Sequence, residues 1–291
     1  MISEMKNDLL TSIEAGMGGF SKAQRILAQY ILSHYDRAAY LTASKLGKAA
    51  GISESTVVRF AIELGYEGYP EMQKDLQEII RSRLTSVQRV EITDALIGEG
   101  EVIDRVLGSD SERIMTTLSE IDRAAFNAAV DKIVSAKRIF IIGVRSSSAL
   151  AGFLNFNLRM ICDNIIYVQT TSGSEMFEQI LSMTKNDVLI AISFPRYSSR
   201  IINAVEFAHD AGADVISITD SAQSPIAADA NQLLIARSDM VSYIDSLVAP
   251  LSIINAIIVA VARKKPNEVK QRLEMLEAIW DEYDVYDKKK R

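Results

Sequence analysis

The chain has 291 residues, of which 48% are hydrophobic and 24% charged, with a formal net charge of −6. This is the composition of a soluble globular protein of about two domains, and the acidic balance argues against a generally basic, nonspecific nucleic-acid binder. One cysteine, Cys162, excludes an internal disulfide and fits a reducing compartment; with only His34 and His209 beside it, little material remains for a zinc site.

The opening MISEMKNDLL lacks the apolar core of a signal peptide. The longest apolar run, 253–262 (IINAIIVAVA), falls short of the roughly 20 residues that cross a bilayer. A cytoplasmic protein without membrane partners is expected.

Ser21 is placed to open a helix in which Ile26, Leu27, Tyr30 and Ile31 recur at helical spacing. Thr42 caps a short second helix ending near Ala50, Gly51 supplies a turn at positive φ, and Ser53 caps a third helix that Gly65 ends. Two helices joined by a short glycine turn are the outline of a helix-turn-helix, whose second helix enters the major groove. In the third helix Val57, Phe60, Ala61 and Leu64 share one stripe, while Ser55, Thr56, Arg59 and Glu63 lie on the other side. Ser53, Ser55, Thr56, Arg59 and Lys45 are therefore the expected DNA-binding residues, since hydroxyls and cations reach phosphates and base edges. From 21 to 59 six basic residues face two acidic ones, although flanking acids return the whole segment to slightly negative. An ordinary three-helix bundle with a polar outer face is the alternative.

A further helix is expected from Glu71 to Leu84, with Met72, Leu76, Ile79 and Ile80 on one face, then a connection over 85–101 with loop glycines at 98 and 100. Helical pattern resumes over 102–121. The expected division is a helix-turn-helix domain at 1–84, a linker and connecting helix at 85–121, an α/β domain at 122–264, and a C-terminal helix and tail at 265–291.

After Asp122 helices alternate with short apolar strands, expected at 138–143, 165–169, 188–194, 214–220 and 232–236. This pattern predicts a five-stranded parallel sheet covered on both faces, with ligands at the C-terminal strand ends. Those ends are rich in hydroxyls: 143–148 (GVRSSS), 170–175 (TTSGSE), 193–200 (SFPRYSSR) and 219–221 (TDS). At the first, a strand turns into a helix through Gly, Arg and three serines, which suits an anion held by backbone N–H groups, hydroxyls and Arg145. The bland reading of those serines is helix capping. Several such loops at one sheet edge suggest a polyol and phosphate site. Dinucleotide binding is disfavoured, because a G-x-G-x-x-G loop needs glycine where Arg145 and Ser148 stand.

Taken together, 42–66 (above all GISESTVVRFAIELGY), GVRSSSALA at 143–151, ISFPRYSSR at 192–200 and AHDAGADVISITDS at 208–221 resemble the RpiR family of bacterial transcriptional regulators, an N-terminal helix-turn-helix followed by a sugar isomerase (SIS) domain. The resemblance covers nearly the whole chain. It implies a regulator of carbohydrate genes, a repressor, that binds DNA as a homodimer or homotetramer and senses a phosphorylated sugar or amino sugar. It implies effector contacts at Ser146 and Ser147, at Ser193, Ser198 and Ser199, and near Glu175. Arg145 replaces the second glycine of the common G-x-G-x-S form and FPRYS replaces S-x-S-G-x-T, so Arg145 and Arg196 add cations to the expected effector set. No cofactor, metal or catalytic residue is expected. A sugar-phosphate isomerase with an accessory N-terminal domain, using Glu175 as base, is the alternative. The apolar helix at 253–262 and the stripe Val269, Leu273, Leu276, Ile279 and Trp280 are read as oligomer contacts, with packing on the chain's own sheet as the alternative, and a two-fold dimer favours a palindromic operator.

Overall fold

A computed structural model of the chain describes residues 9–83, 85–91, 101–169, 172–240 and 244–286. The expected loop glycines at 98 and 100, Thr170 and Thr171, and the lysine-rich tail at 288–291 lie outside the described residues. By its contacts the chain divides into two compact units, Met1–Val106 with Met240–Asp245, and Leu107–Asp239 with Ser246–Arg291.

The described part of the first unit is helical: α1 (Leu9–Gly16), α2 (Lys22–Ser33), α3 (Tyr35–Ala38), α4 (Ala43–Ala50), α5 (Glu54–Glu63), α6 (Tyr69–Arg83) and α7 (Ser86–Glu91). Its helix starts follow the expected chemistry. Ser21 accepts the amide of Gln24 while Gln24 accepts the amide of Ser21, a reciprocal cap on α2. Thr42 caps α4 through the amide of Lys45, and Ser53 caps α5 through the amide of Thr56. The core gathers Leu27, Ile31, Leu46, Val57, Phe60, Met72 and Leu76, all fully buried. Ile26 departs from its expected stripe and is 41% exposed, because α2 turns only Leu27, Ala28 and Ile31 inward. The connection expected after residue 84 is partly helical, and in α7 the Arg89 guanidinium is buried against Asp245 at 3.1 Å.

The second unit holds most of α8 (Val102–Glu120), then α9 (Arg123–Ser135), β1 (Ile139–Gly143), α10 (Ser147–Leu158), β2 (Ile165–Val168), α11 (Gly173–Ile180), β3 (Val188–Ile192), α12 (Ser199–Asp210), β4 (Asp214–Thr219), β5 (Gln232–Ile235), α13 (Val248–Lys264) and α14 (Pro266–Glu282). The five strands form one parallel sheet in the order β2-β1-β3-β4-β5. Every residue of β1 and β3 is buried, as continuous apolar runs between two helical layers must be. One layer packs Ile139, Ile141 and Ile190 against α9, α10 and α13; the other packs Phe140, Ile142 and Leu189 against α11 and α12. Because α10 lies on one face while α11 and α12 lie on the other, the order of the strands reverses between β1 and β3. A crevice opens at such a switch point, outside the carboxyl ends of the strands.

At the opposite edge Arg138 donates to both carboxylate oxygens of Asp187, at 3.0 and 2.7 Å, and Thr184 adds its amide and hydroxyl at 2.8 Å each. Burial pushes the Asp187 carboxyl up, but these hydrogen bonds outweigh it and hold the group below the usual carboxylate range. Cys162 is buried, with its thiol pushed up by that burial, consistent with a structural role.

Candidate functional site

A pocket of about 830 Å3 occupies the β1/β3 switch point. It is lined by Gly143, Val144, Arg145 and Ser148 after β1, by Tyr167, Val168, Gln169 and Glu175 around the end of β2, and by Ser198, Ser199 and Arg200 after β3. The first loop is built tightly. A Cβ on Gly143 would lie 2.5 Å from the Ser147 carbonyl oxygen, so only glycine lets α10 fold back this close to β1. Arg145 follows with φ of 56°, a left-handed conformation that a non-glycine residue adopts at a cost. Its carbonyl is fixed by the Ser148 hydroxyl at 2.6 Å and the Ser148 amide at 3.1 Å. The Tyr167 hydroxyl donates to the Ser148 carbonyl at 3.0 Å, tying this loop to β2.

Of the expected effector residues, Arg145, Glu175, Ser198 and Ser199 line the pocket; Ser146, Ser147, Ser193 and Arg196 do not. Ser147 is 5% exposed and Ser193 4%, because the first turn of α10 and the end of β3 pack them inward. Ser146 stands at the start of α10 but makes no side-chain cap bond. Arg196, like Arg145, has positive φ, 67°, and is exposed. The lining residues Ser148 and Arg200 fall within the expected hydroxyl-rich strand ends but were not singled out as effector contacts, and Tyr167 and Gln169 were in neither group. The signal for Arg200 was in the sequence, a cation directly after two serines at a helix start; Tyr167 and Gln169 offered none, since nothing local says which strand residues reach the crevice.

The helix starts that follow β1 and β3 differ. In α10 the amides of Ser147, Ser148 and Ala149 already meet the carbonyls of Val144, Arg145 and Ser146. In α12 Ser198 makes no side-chain cap bond, and among the described residues the amides of Ser199 and Arg200 carry no hydrogen bond. The α12 start is therefore the one with open donors. His209 is exposed in the last turn of α12, at the far end of that helix from the pocket. Among the described residues no group of three His, Cys, Asp or Glu side chains is placed to hold a metal ion, and no helix is long and apolar enough to cross a membrane.

In the first unit α4 and α5 are joined through Gly51, which has φ of 71°. A Cβ on Gly47 would meet the Ile52 carbonyl oxygen at 2.9 Å, so the turn packs directly on α4. The start of α5 carries a hydroxyl cluster, with Ser53 Oγ 2.9 Å from Ser55 Oγ and 2.8 Å from Thr56 Oγ1. Arg59 Nε donates to the Ser55 carbonyl at 3.3 Å, which lays the guanidinium along the same face. Lys45, Ser53, Ser55 and Arg59 are exposed and Thr56 is half-buried. The structure thus brings the expected DNA-binding residues onto the α4–α5 surface.

Two family matches bear on these geometries. Residues 7–83 match the helix-turn-helix domain of the rpiR family, and residues 132–260 match the SIS domain. The chain thus pairs an N-terminal helix-turn-helix domain of the rpiR family with a C-terminal SIS domain. It is 25% identical over 279 residues to an HTH-type transcriptional regulator of Caldanaerobacter subterraneus subsp. tengcongensis, covering 92% of this chain and 95% of that one. To the HTH-type transcriptional regulator HexR of Escherichia coli it is 27% identical over 232 residues, 77% of this chain and 75% of HexR. The Vibrio vulnificus NanR protein complexed with ManNAc-6P shares the fold, with a TM-score of 0.60 and 22% identity over 94% of this chain and 98% of the NanR chain. The first two relatives are named as transcriptional regulators, and the helix-turn-helix match at the N-terminus accords with those names.

Proposed function

We propose that the chain is a repressor of carbohydrate-metabolism genes whose hold on operator DNA is set by a phosphorylated sugar or amino sugar bound at the β1/β3 switch point. The observation that carries this reading is the pocket itself. Open amides at the α12 start, the hydroxyls of Ser198 and Ser199 and the guanidiniums of Arg145 and Arg200 suit a phosphate, and Glu175 suits sugar hydroxyls. The same chain presents hydroxyls and cations on α4 and α5, the groups that meet phosphates and base edges. NanR, which shares the fold, is complexed with an amino-sugar phosphate, so phosphorylated amino sugars belong among the probes.

The active form in this reading is a homodimer or homotetramer. All 17 residues of α14 fall short of full burial, yet Leu273 and Ile279 give the helix an apolar side. A two-fold dimer sets two α5 helices about 34 Å apart and selects a palindromic operator. The effector acts only if it binds one arrangement of the heads better than the other.

Gel retardation of upstream DNA fragments, repeated with a panel of sugar phosphates, tests the reading. Retention of a fragment that one sugar phosphate abolishes or enforces supports it, and transcription from that fragment with and without the protein separates repressor from activator. Loss of retention at low salt for every fragment would sink it. Glu175 on the pocket also keeps the isomerase alternative open to direct test, since turnover of any sugar phosphate by the purified protein would replace the sensor reading.

A further inference from the structure

We infer that the effector carries two separate anionic groups, its phosphate at the start of α12 and a second acid group, a carboxylate or another phosphate, at Arg145. The inference rests on the phosphosugar reading above and deepens it. The α12 start can satisfy a phosphate by itself. It offers the amides of Ser199 and Arg200, the hydroxyls of Ser198 and Ser199, the positive end of the helix dipole, and the Arg200 guanidinium in the first turn. A cation in that turn opposes the helix dipole, a cost that an anion beside it would offset.

Arg145 is then surplus to that phosphate. It comes from a different loop, at the end of β1, and neither it nor Arg200 has a side-chain hydrogen bond or ion pair among the described residues, although both line the pocket. Its backbone is fixed and its side chain is exposed: Gly143 admits no side chain, φ at Arg145 is 56°, and Ser148 locks its carbonyl. A fold that holds a strained arginine without a protein partner displays a planar fork of donors, and that fork matches a carboxylate or phosphate edge. At about 830 Å3 the pocket lies toward the upper end of the roughly 300–1,000 Å3 usual for small-molecule sites, which leaves room for an extended ligand.

Matched ligand pairs test this on the full chain by calorimetry or thermal shift: glucose 6-phosphate against gluconate 6-phosphate, and fructose 6-phosphate against fructose 1,6-bisphosphate. The first pair reports a carboxylate, the second a second phosphate. In at least one pair the doubly acidic member is expected to bind about tenfold or more tightly. Arg145→Gly, which suits the positive φ and so keeps the loop, is expected to erase that preference while changing affinity for the monoester by less than about threefold. Arg200→Ala is expected to weaken both members together. Monoesters binding as tightly as their acid partners in both pairs would overturn the inference and leave the phosphosugar reading standing. An Arg145→Gly loss equal for both members would do the same, by showing both arginines on one phosphate. Binding of no sugar phosphate at all would overturn both readings.

Discussion

At the residue scale the side chains divide by what surrounds them. Arg59 is exposed and, among the described residues, hydrogen-bonds only to its own helix, so Arg59→Ala should leave the fold intact, weaken retention of every DNA fragment and lower the salt dependence of binding, with sugar-phosphate affinity unchanged. Retardation over a salt series checks this. Asp187 is the opposite case. Its carboxylate is fully buried and accepts from Arg138 and Thr184, so Asp187→Asn leaves the Arg138 guanidinium without its ion partner and should cost roughly 3 kcal/mol in denaturant unfolding. The folded-state carboxyl titrates below its unfolded value of about 3.9. Its contribution is therefore full above that value and lost as pH falls through the lower, folded one, so the gap between parent and Asp187→Asn should close in strong acid. Ser147, singled out by family resemblance, is buried outside the pocket lining, and Ser198 and Ser199 are the serines whose removal should weaken a phosphate ligand.

At the element scale the decisive features are close approaches of backbone. In the helix-turn-helix Gly47→Ala drives a methyl against the Ile52 carbonyl and should separate α4 from the turn, at roughly 1–3 kcal/mol and with loss of DNA retention. At the pocket Gly143→Ala sets a methyl against the Ser147 carbonyl and should move α10 off β1. Its expected signature is a lower thermal midpoint together with loss of any sugar-phosphate-induced rise. These elements were legible in sequence because their signals are local. Ser21, Thr42 and Ser53 cap the helices they were expected to cap, and the apolar runs at 139–143 and 188–192 are buried strands. The pocket roster was legible only in part. Which of three consecutive serines points into a crevice depends on the helix's first turn, and the inward reach of Tyr167 and Gln169 depends on a neighbouring strand.

At the scale of the whole molecule the prediction concerns assembly. If the apolar side of α14 meets a second copy, Leu273→Asp should shift the sedimentation profile toward monomer and reduce retention of a palindromic fragment more than that of a half-site. A profile that is monomeric for the parent, with and without DNA, would remove the dimer from the proposed mechanism.

The sequence by itself determined the two kinds of module, the order of their elements, the caps and the parallel sheet, because hydrophobic period and turn chemistry are written within a dozen residues of where they act. Only the tertiary structure decided where the crevice lies and who lines it. The strand order β2-β1-β3-β4-β5 brings the loops after β1 and β3 together, so that Arg145 and Arg200 line one pocket, and the start of α12 keeps open amides where that of α10 is already satisfied.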